Sequence, residues 1–195
     1  MDTEESDFNR MLRGQWEFHW NHQLRDRLAG LTDDEYFRSP VPGAWSVRPR
    51  GSSTAPLQVG AGDFTIDYAV PEPVPAAVTT VAWLLGRVIV GVLAVRNAAH
   101  VGAPAASYQS WDYAGSATAA LDQLHTRLGI RLHGVRGLGE DGLQSPVGDQ
   151  EPYPEAPMAE LVLHIHREVI HHLSEVRLLR DLYLHREHTT QGAIR

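Results

Sequence analysis

The 195-residue chain has no cysteine. Disulfides, thiolate metal sites, iron–sulfur clusters and a cysteine nucleophile are thereby excluded together. Positive charge is scarce too: 17 basic residues face 24 acidic ones, a formal charge of −7 at pH 7. Without a basic field to condense on phosphate, neither nucleic acid nor an anionic membrane is an expected partner. Long apolar runs are also missing. The most apolar stretch, Val78 to Val95, is broken by Arg87, and the remainder falls far short of the roughly 20 residues that cross a bilayer. It reads as a buried core element. Residues 1–10 are acidic, with neither an apolar segment nor a cleavage site, so no secretory signal is read there and a cytoplasmic location is expected. No Ser/His/Asp spacing, Walker or dinucleotide glycine loop, or kinase signature is found, which withdraws support from hydride and phosphoryl transfer.

Histidine is what the chain has in unusual number, eleven in all. Imidazole is the side chain of neutral-pH proton transfer and the commonest metal ligand, so the placement of these residues decides the functional reading.

Phe8, Leu12, Trp16, Trp20, Leu24 and Leu28 recur every four residues and predict a helix over 8–30, closed by Gly30. Thr32 with Glu35 three residues on predicts a capping box and a short helical turn. From Ser39 to Pro75, prolines and glycines exclude a long helix, and only the alternation in 63–68 suggests a lone strand or extended strap. Segments of this kind are surface straps or lids. Thr79 or Thr80 starts a second long helix to about His100. A third spans 116–136, stopped by Gly137 and Gly139, and a fourth spans 158–185 before a frayed tail over 186–195. The pattern predicts a single all-α domain over 1–195, a four-helix bundle with a long irregular strap between its first two helices.

At about 100° per residue, the last helix places Met158, Leu161, Ile165, Val169, Val176, Leu179 and Tyr183 on one face, with His172 in its middle and Glu168 about 40° aside. An imidazole and a carboxylate four residues apart are neighbours on a helix, and bundles build metal sites from such side chains. A core histidine more often has an ordinary hydrogen-bonding role, but an inward carboxylate demands a cation. Trp20, Trp45, Trp83, Trp111 and Tyr113 are candidates for an aromatic wall beside a small ligand, although core packing is the commoner fate of such residues. His164 and His171 flank the buried edge. His185 and His188 suit the helix end.

Trp45-Ser46-Val47, the segment Trp83-Leu84-Leu85-Gly86-Arg87-Val88 and the run Arg167-Glu168-Val169-Ile170-His171-His172 together resemble the DinB/YfiT-like superfamily, over about Phe8 to Tyr183. The resemblance implies a four-helix bundle, often a homodimer, that binds Zn or Ni and acts as a transferase or isomerase on a small organic substrate, with a low-molecular-weight thiol as cosubstrate. It assigns Glu168 and His172 as metal ligands. The third ligand, a histidine in that superfamily, is replaced by Arg87, which has no lone pair to offer a metal. His164 is too far along the helix axis to substitute, and nothing in the spacing of His19, His22 or His100 brings them in.

Two readings follow. In the first, His172 and Arg87 are catalytic: a divalent metal or the guanidinium polarises a carbonyl or holds a thiolate, and His172 moves a proton. In the second, the protein is a metal-free small-molecule binder or a non-catalytic dimeric bundle, with Arg87 paired to Glu168 in place of the ion.

Overall fold

The computed structural model describes residues 7–186. It corrects the predicted fold class: the architecture is mixed α/β, five helices and a three-stranded antiparallel sheet, with 57% of residues helical, rather than all-α. Most of the predicted tail, and His188 within it, lies outside the described residues, as does most of the acidic N-terminal segment.

Helix α1 covers 8–28. Asp7 caps it by accepting from the Arg10 amide at 2.8 Å, and Trp20–Leu24 widens to π-helical geometry before the last turn. Its stripe packs inward through Leu12, Trp16, Leu24 and Leu28. After Gly30, in the left-handed region at φ 69°, the short helix α2, Asp33–Phe37, forms with the predicted Thr32/Glu35 capping box.

The segment read as a strap holds the sheet. Strands β1 (Val47–Pro49), β2 (Leu57–Val59) and β3 (Phe64–Tyr68) lie in the order β1-β3-β2. Val47 and Val59 both pair with Ile66, and Val47 and Ile66 enter the core. The outer strands have only three residues each, too few for alternation to show, and Pro49 is tolerated because β1 is an edge. The predicted lone strand is the middle of three.

Helix α3, Val81–His100, is the most buried. Thr80 caps it, accepting from the Trp83 amide at 3.2 Å, and Val88–Ala94 is π-helical. At 20 residues it is long and apolar enough to cross a membrane by length and composition, which corrects the reading that Arg87 leaves this stretch too short, and 67% of its most apolar window is buried inside the protein. Helix α4, Ala117–Gln144, starts at the Ser116 cap and runs past the predicted stop, with a break at Gly139 (φ 61°, ψ −171°). Helix α5, Met158–Leu184, packs along α3 and α4.

Met158, Leu161, Ile165, Val169 and Val176 of the predicted inner face of α5 are buried, but the face is wider than predicted and its centre is turned away from Leu179 and Tyr183. Val162, Val169 and Val176 run down its centre, flanked by His166, Leu173 and Arg180. His172 therefore lies at the edge of the buried face. Glu168, one residue before Val169, is about 100° away from that central line.

Candidate functional site

Where the edge of α5 meets α3, the sheet and the segment that follows it, a cleft of about 260 Å³ opens. One wall is aromatic. Trp45 packs against Trp83 and Tyr68, with ring centroids 6.1 and 6.3 Å apart. The Trp83 indole N–H donates to the Asp67 carbonyl at 2.9 Å, and the buried Asp67 carboxylate accepts from the Ser46 amide at 2.9 Å and from Arg48 Nε at 3.2 Å. The sheet thus fixes the orientation of a ring carried by α3. Tyr68, Glu72 and Thr79 complete the rim, and Arg87, His172 and Glu175 supply the polar lining.

Arg87 stands with its guanidinium carbon 5.8 Å from the centroid of the Trp83 ring. Its charge also reaches Tyr108, whose hydroxyl is pushed up in pKa by burial and partly brought back by Arg87. The expected Arg87–Glu168 pair is not formed. The ionisable neighbours of Glu168 are Arg167 at 3.6 Å, His172 at 3.8 Å and His164 at 3.9 Å. The physical reason is the rotation of the α5 face: Glu168 is turned far enough out to be solvated, so it needs no buried cation.

His172 is held differently from the sequence reading. Its side chain is 12% exposed, and Nδ1 lies 2.8 Å from Glu175 Oε2. An ionised carboxylate only accepts, so this bond places a ring proton on Nδ1, and in the neutral ring Nε2 is then the nitrogen that carries the lone pair. Nε2 is buried without a hydrogen-bond partner, with the Glu168 carboxylate 3.8 Å away. Helix side chains lean toward the N-terminus. Glu175 therefore leans back onto the near nitrogen of His172, while the far nitrogen points toward Glu168. The sequence reading weighed only Glu168 and missed Glu175, although a His-x-x-Glu spacing on one helix was the available signal.

Of the five proposed wall aromatics, Trp45 and Trp83 line the cleft. The others are corrections. Trp20 stacks on Trp16, Trp111 packs under Arg127, and Tyr113 is core, lying against Gly86 of α3. His100 pairs with Glu151 at 3.1 Å, away from this cleft. His171 is exposed and 3.7 Å from Glu175.

The divalent metal implied by the resemblance does not fit these donors. Glu168 and His172 supply two ligands, and the cation Arg87 lines the same cleft, whereas a catalytic zinc takes three protein ligands and an open position. His171, His172 and Glu175 bring ligand atoms within 4.8 Å of one another. That group sits on one helix edge, its His171 side chain is 63% exposed, and Glu175 already occupies Nδ1 of His172. These three could hold an ion at the helix edge, but they do not make a catalytic ligand set inside the cleft.

No protein-family model, curated protein or solved structure matches the chain.

Proposed function

We propose that the chain is a metal-independent, small-molecule protein of DinB/YfiT-like descent whose cleft between α3 and α5 takes a small oxo acid and moves a proton on it. The observation that carries this reading is the His172 ring, pinned through Nδ1 by Glu175, with a buried, unpartnered Nε2, in a cleft that Arg87 also lines. A carboxylate that orients an imidazole is the arrangement of a general base. The cleft is smaller than drug-sized pockets, so its ligand is small. Arg87 pairs with the ligand's carboxylate or carbonyl oxygen, in a geometry that planar guanidinium suits, and the Trp45 and Trp83 rings give an apolar flank.

In the chemistry that follows, His172 Nε2 takes a proton from the carbon beside the carbonyl. The C–H electron pair becomes the enolate, its negative oxygen facing Arg87, and the imidazolium returns the proton at the same or the conjugate carbon. The net reaction is isomerisation or hydrogen exchange, with no oxidant or reductant consumed.

The test is a thermal-shift and calorimetric screen of small oxo acids, followed by deuterium exchange at the carbon beside the carbonyl. Arg87→Met should abolish binding, and His172→Gln should retain binding and lose exchange. A stoichiometric transition metal in untagged protein, lost in His172→Ala, would overturn this reading in favour of a metalloenzyme.

A further inference from the structure

The outer face of the sheet carries polar side chains that the cleft does not use. Arg48 lies opposite Thr65 and Gln58 opposite Asp67, and side chains two residues apart on β3 point the same way, so these four share one face. Val47 and Ile66, on the other face, enter the core. The outer face of a three-stranded sheet is expected to meet water, yet Asp67 is only 2% exposed. Residues 43–45 and 52–56, together with Arg48 and Asp67, line a pocket of about 370 Å³ here. The Gln58 side-chain amide donates to the Ser53 carbonyl at 3.2 Å and holds the connection between β1 and β2 against this face.

The carboxylate of Asp67 is only half satisfied. Oδ2 accepts from the Ser46 amide at 2.9 Å and from Arg48 Nε at 3.2 Å, whereas Oδ1 is buried with no donor. A carboxylate oxygen accepts and buried polar groups as a rule have partners, so the pocket wall holds an acceptor in want of a donor. Charge is not what is missing. Arg48 and Asp67 are the two charged residues of the lining and are already paired, and Arg48 Nη2 is engaged by the Ala44 carbonyl at 2.9 Å. The other polar side chains of the lining are the hydroxyls of Ser52, Ser53 and Thr54, and half-buried Trp45 supplies a flat apolar side.

We propose that this pocket is a second ligand site, for one neutral sugar ring. A ligand hydroxyl donates to Asp67 Oδ1, its neighbours exchange hydrogen bonds with the serine and threonine hydroxyls, and the C–H face of the ring lies on Trp45. An anion would meet Asp67, a cation would meet Arg48, and an apolar ring would leave Oδ1 without its donor. The volume lies at the small end of the pockets that enclose organic ligands, which suits a single ring rather than an oligosaccharide. This inference does not rest on the oxo-acid reading, because Arg87, His172 and Glu175 line the cleft and not this pocket.

The experiment is a nitrogen-15 NMR titration of the full chain with D-glucose, D-galactose, D-mannose, D-glucuronate and cyclohexanol. At least one of the three hexoses should give saturable shifts, centred on the amides of residues 43–56 and 66–68. D-glucuronate and cyclohexanol should bind at least about tenfold more weakly, the first for its charge beside Asp67 and the second for its missing donors. In Asp67→Asn the Ser46 amide and Arg48 keep the carbonyl oxygen at the Oδ2 position, so an NH2 replaces Oδ1 and the ligand hydroxyl loses a charged acceptor. Hexose affinity should fall by about tenfold or more. Ala55→Phe, on the connection between β1 and β2, should fill the pocket and abolish binding without touching the Arg48–Asp67 pair. Arg87→Met should leave hexose binding unchanged, which separates the two sites. Shifts that do not saturate for any hexose, D-glucuronate or cyclohexanol binding as tightly as the hexose, or hexose binding that survives either Asp67→Asn or Ala55→Phe, would overturn the proposal.

Discussion

Arg180 and Glu35, 145 positions apart, meet inside the protein: Arg180 Nε donates to Glu35 Oε1 at 2.9 Å, and the two side chains are 10% and 3% exposed. The other oxygen of Glu35 accepts from the Thr32 amide at 2.8 Å and its hydroxyl at 3.0 Å. Arg180 also donates to the carbonyls of Arg27 and Ala29, at the C-terminal end of α1. One ion pair thus ties α5 to the end of α1 and to the cap of α2.

Removing one partner strands the other, which costs about 3–5 kcal/mol for a buried pair. Glu35→Ala should lower unfolding free energy by that order in urea titrations, and Glu35→Gln, which keeps the cap bonds, by less. Burial alone would raise the Glu35 pKa, but the Arg180 and Thr32 bonds outweigh it and the net shift is downward from 4.5. The stabilisation is therefore present above pH 4.5 and is lost as pH falls through the lower folded value. A pH-independent difference between wild type and Glu35→Gln would contradict this account.

Glu168→Ala should behave in the opposite way. Its carboxylate is 26% exposed and its ionisable neighbours, of which Arg167 alone is a fixed cation, stand at 3.6–3.9 Å, the regime in which surface pairs contribute about 0–1 kcal/mol. Chemical denaturation should show a loss below about 1 kcal/mol. A loss of several kcal/mol would restore the buried Arg87 partner that the sequence suggested.

The contrast between these two glutamates shows what periodicity reads well and where it fails. Helix existence follows from spacing and caps: Thr32 caps as the sequence predicts, and Thr80, one of the two threonines it offered, caps α3. The phase of a 27-residue face is harder. The face read through His172, Leu179 and Tyr183 lies on one side of the true one, and the row His166, Leu173 and Arg180 was missed because two of its members are polar. A buried arginine or histidine is invisible to a hydrophobic pattern when its partner, such as Glu35, lies 145 residues away. The sheet was hidden for another reason: its edge strands are held by cross-strand pairing to Phe64–Tyr68 rather than by any pattern of their own. Arg87, His172, Trp45 and Trp83 do come together in one cleft, whereas Glu175 went unnoticed although its spacing was in plain view.

The tautomer of His172 is directly measurable. With Glu175 accepting at 2.8 Å, nitrogen-15 shifts of the ring in its neutral form should report a protonated Nδ1 and a pyridine-like Nε2. Glu175→Ala removes the acceptor, and the population should move toward protonated Nε2, with loss of proton-transfer activity and retention of ligand binding through Arg87. An unprotonated Nδ1 in the wild type would remove the basis for His172 as a base.

His166 should give the protein a second pH response, at higher pH than that of Glu35. Its pKa is pushed down to about 4 from 6.5, by burial first and then by the Arg131 charge. In the unfolded chain the same ring takes up a proton near its ordinary value, so between pH 6.5 and 4 the unfolded state binds more protons and stability rises with pH. The contribution is therefore complete above pH 6.5 and is lost progressively on acidification, by about 1.4 kcal/mol per unit at most and about 3 kcal/mol over the whole window. His166→Phe keeps a ring to stack on Trp16 and has nothing to titrate. Urea titrations at intervals between pH 7 and 4 should show the variant gaining on the wild type as the pH falls, with most of the gain already present at pH 4.5. Parallel stability curves for the two proteins would mean that His166 is protonated inside the fold, and a charged imidazolium beside Arg131 would then require an anion between them.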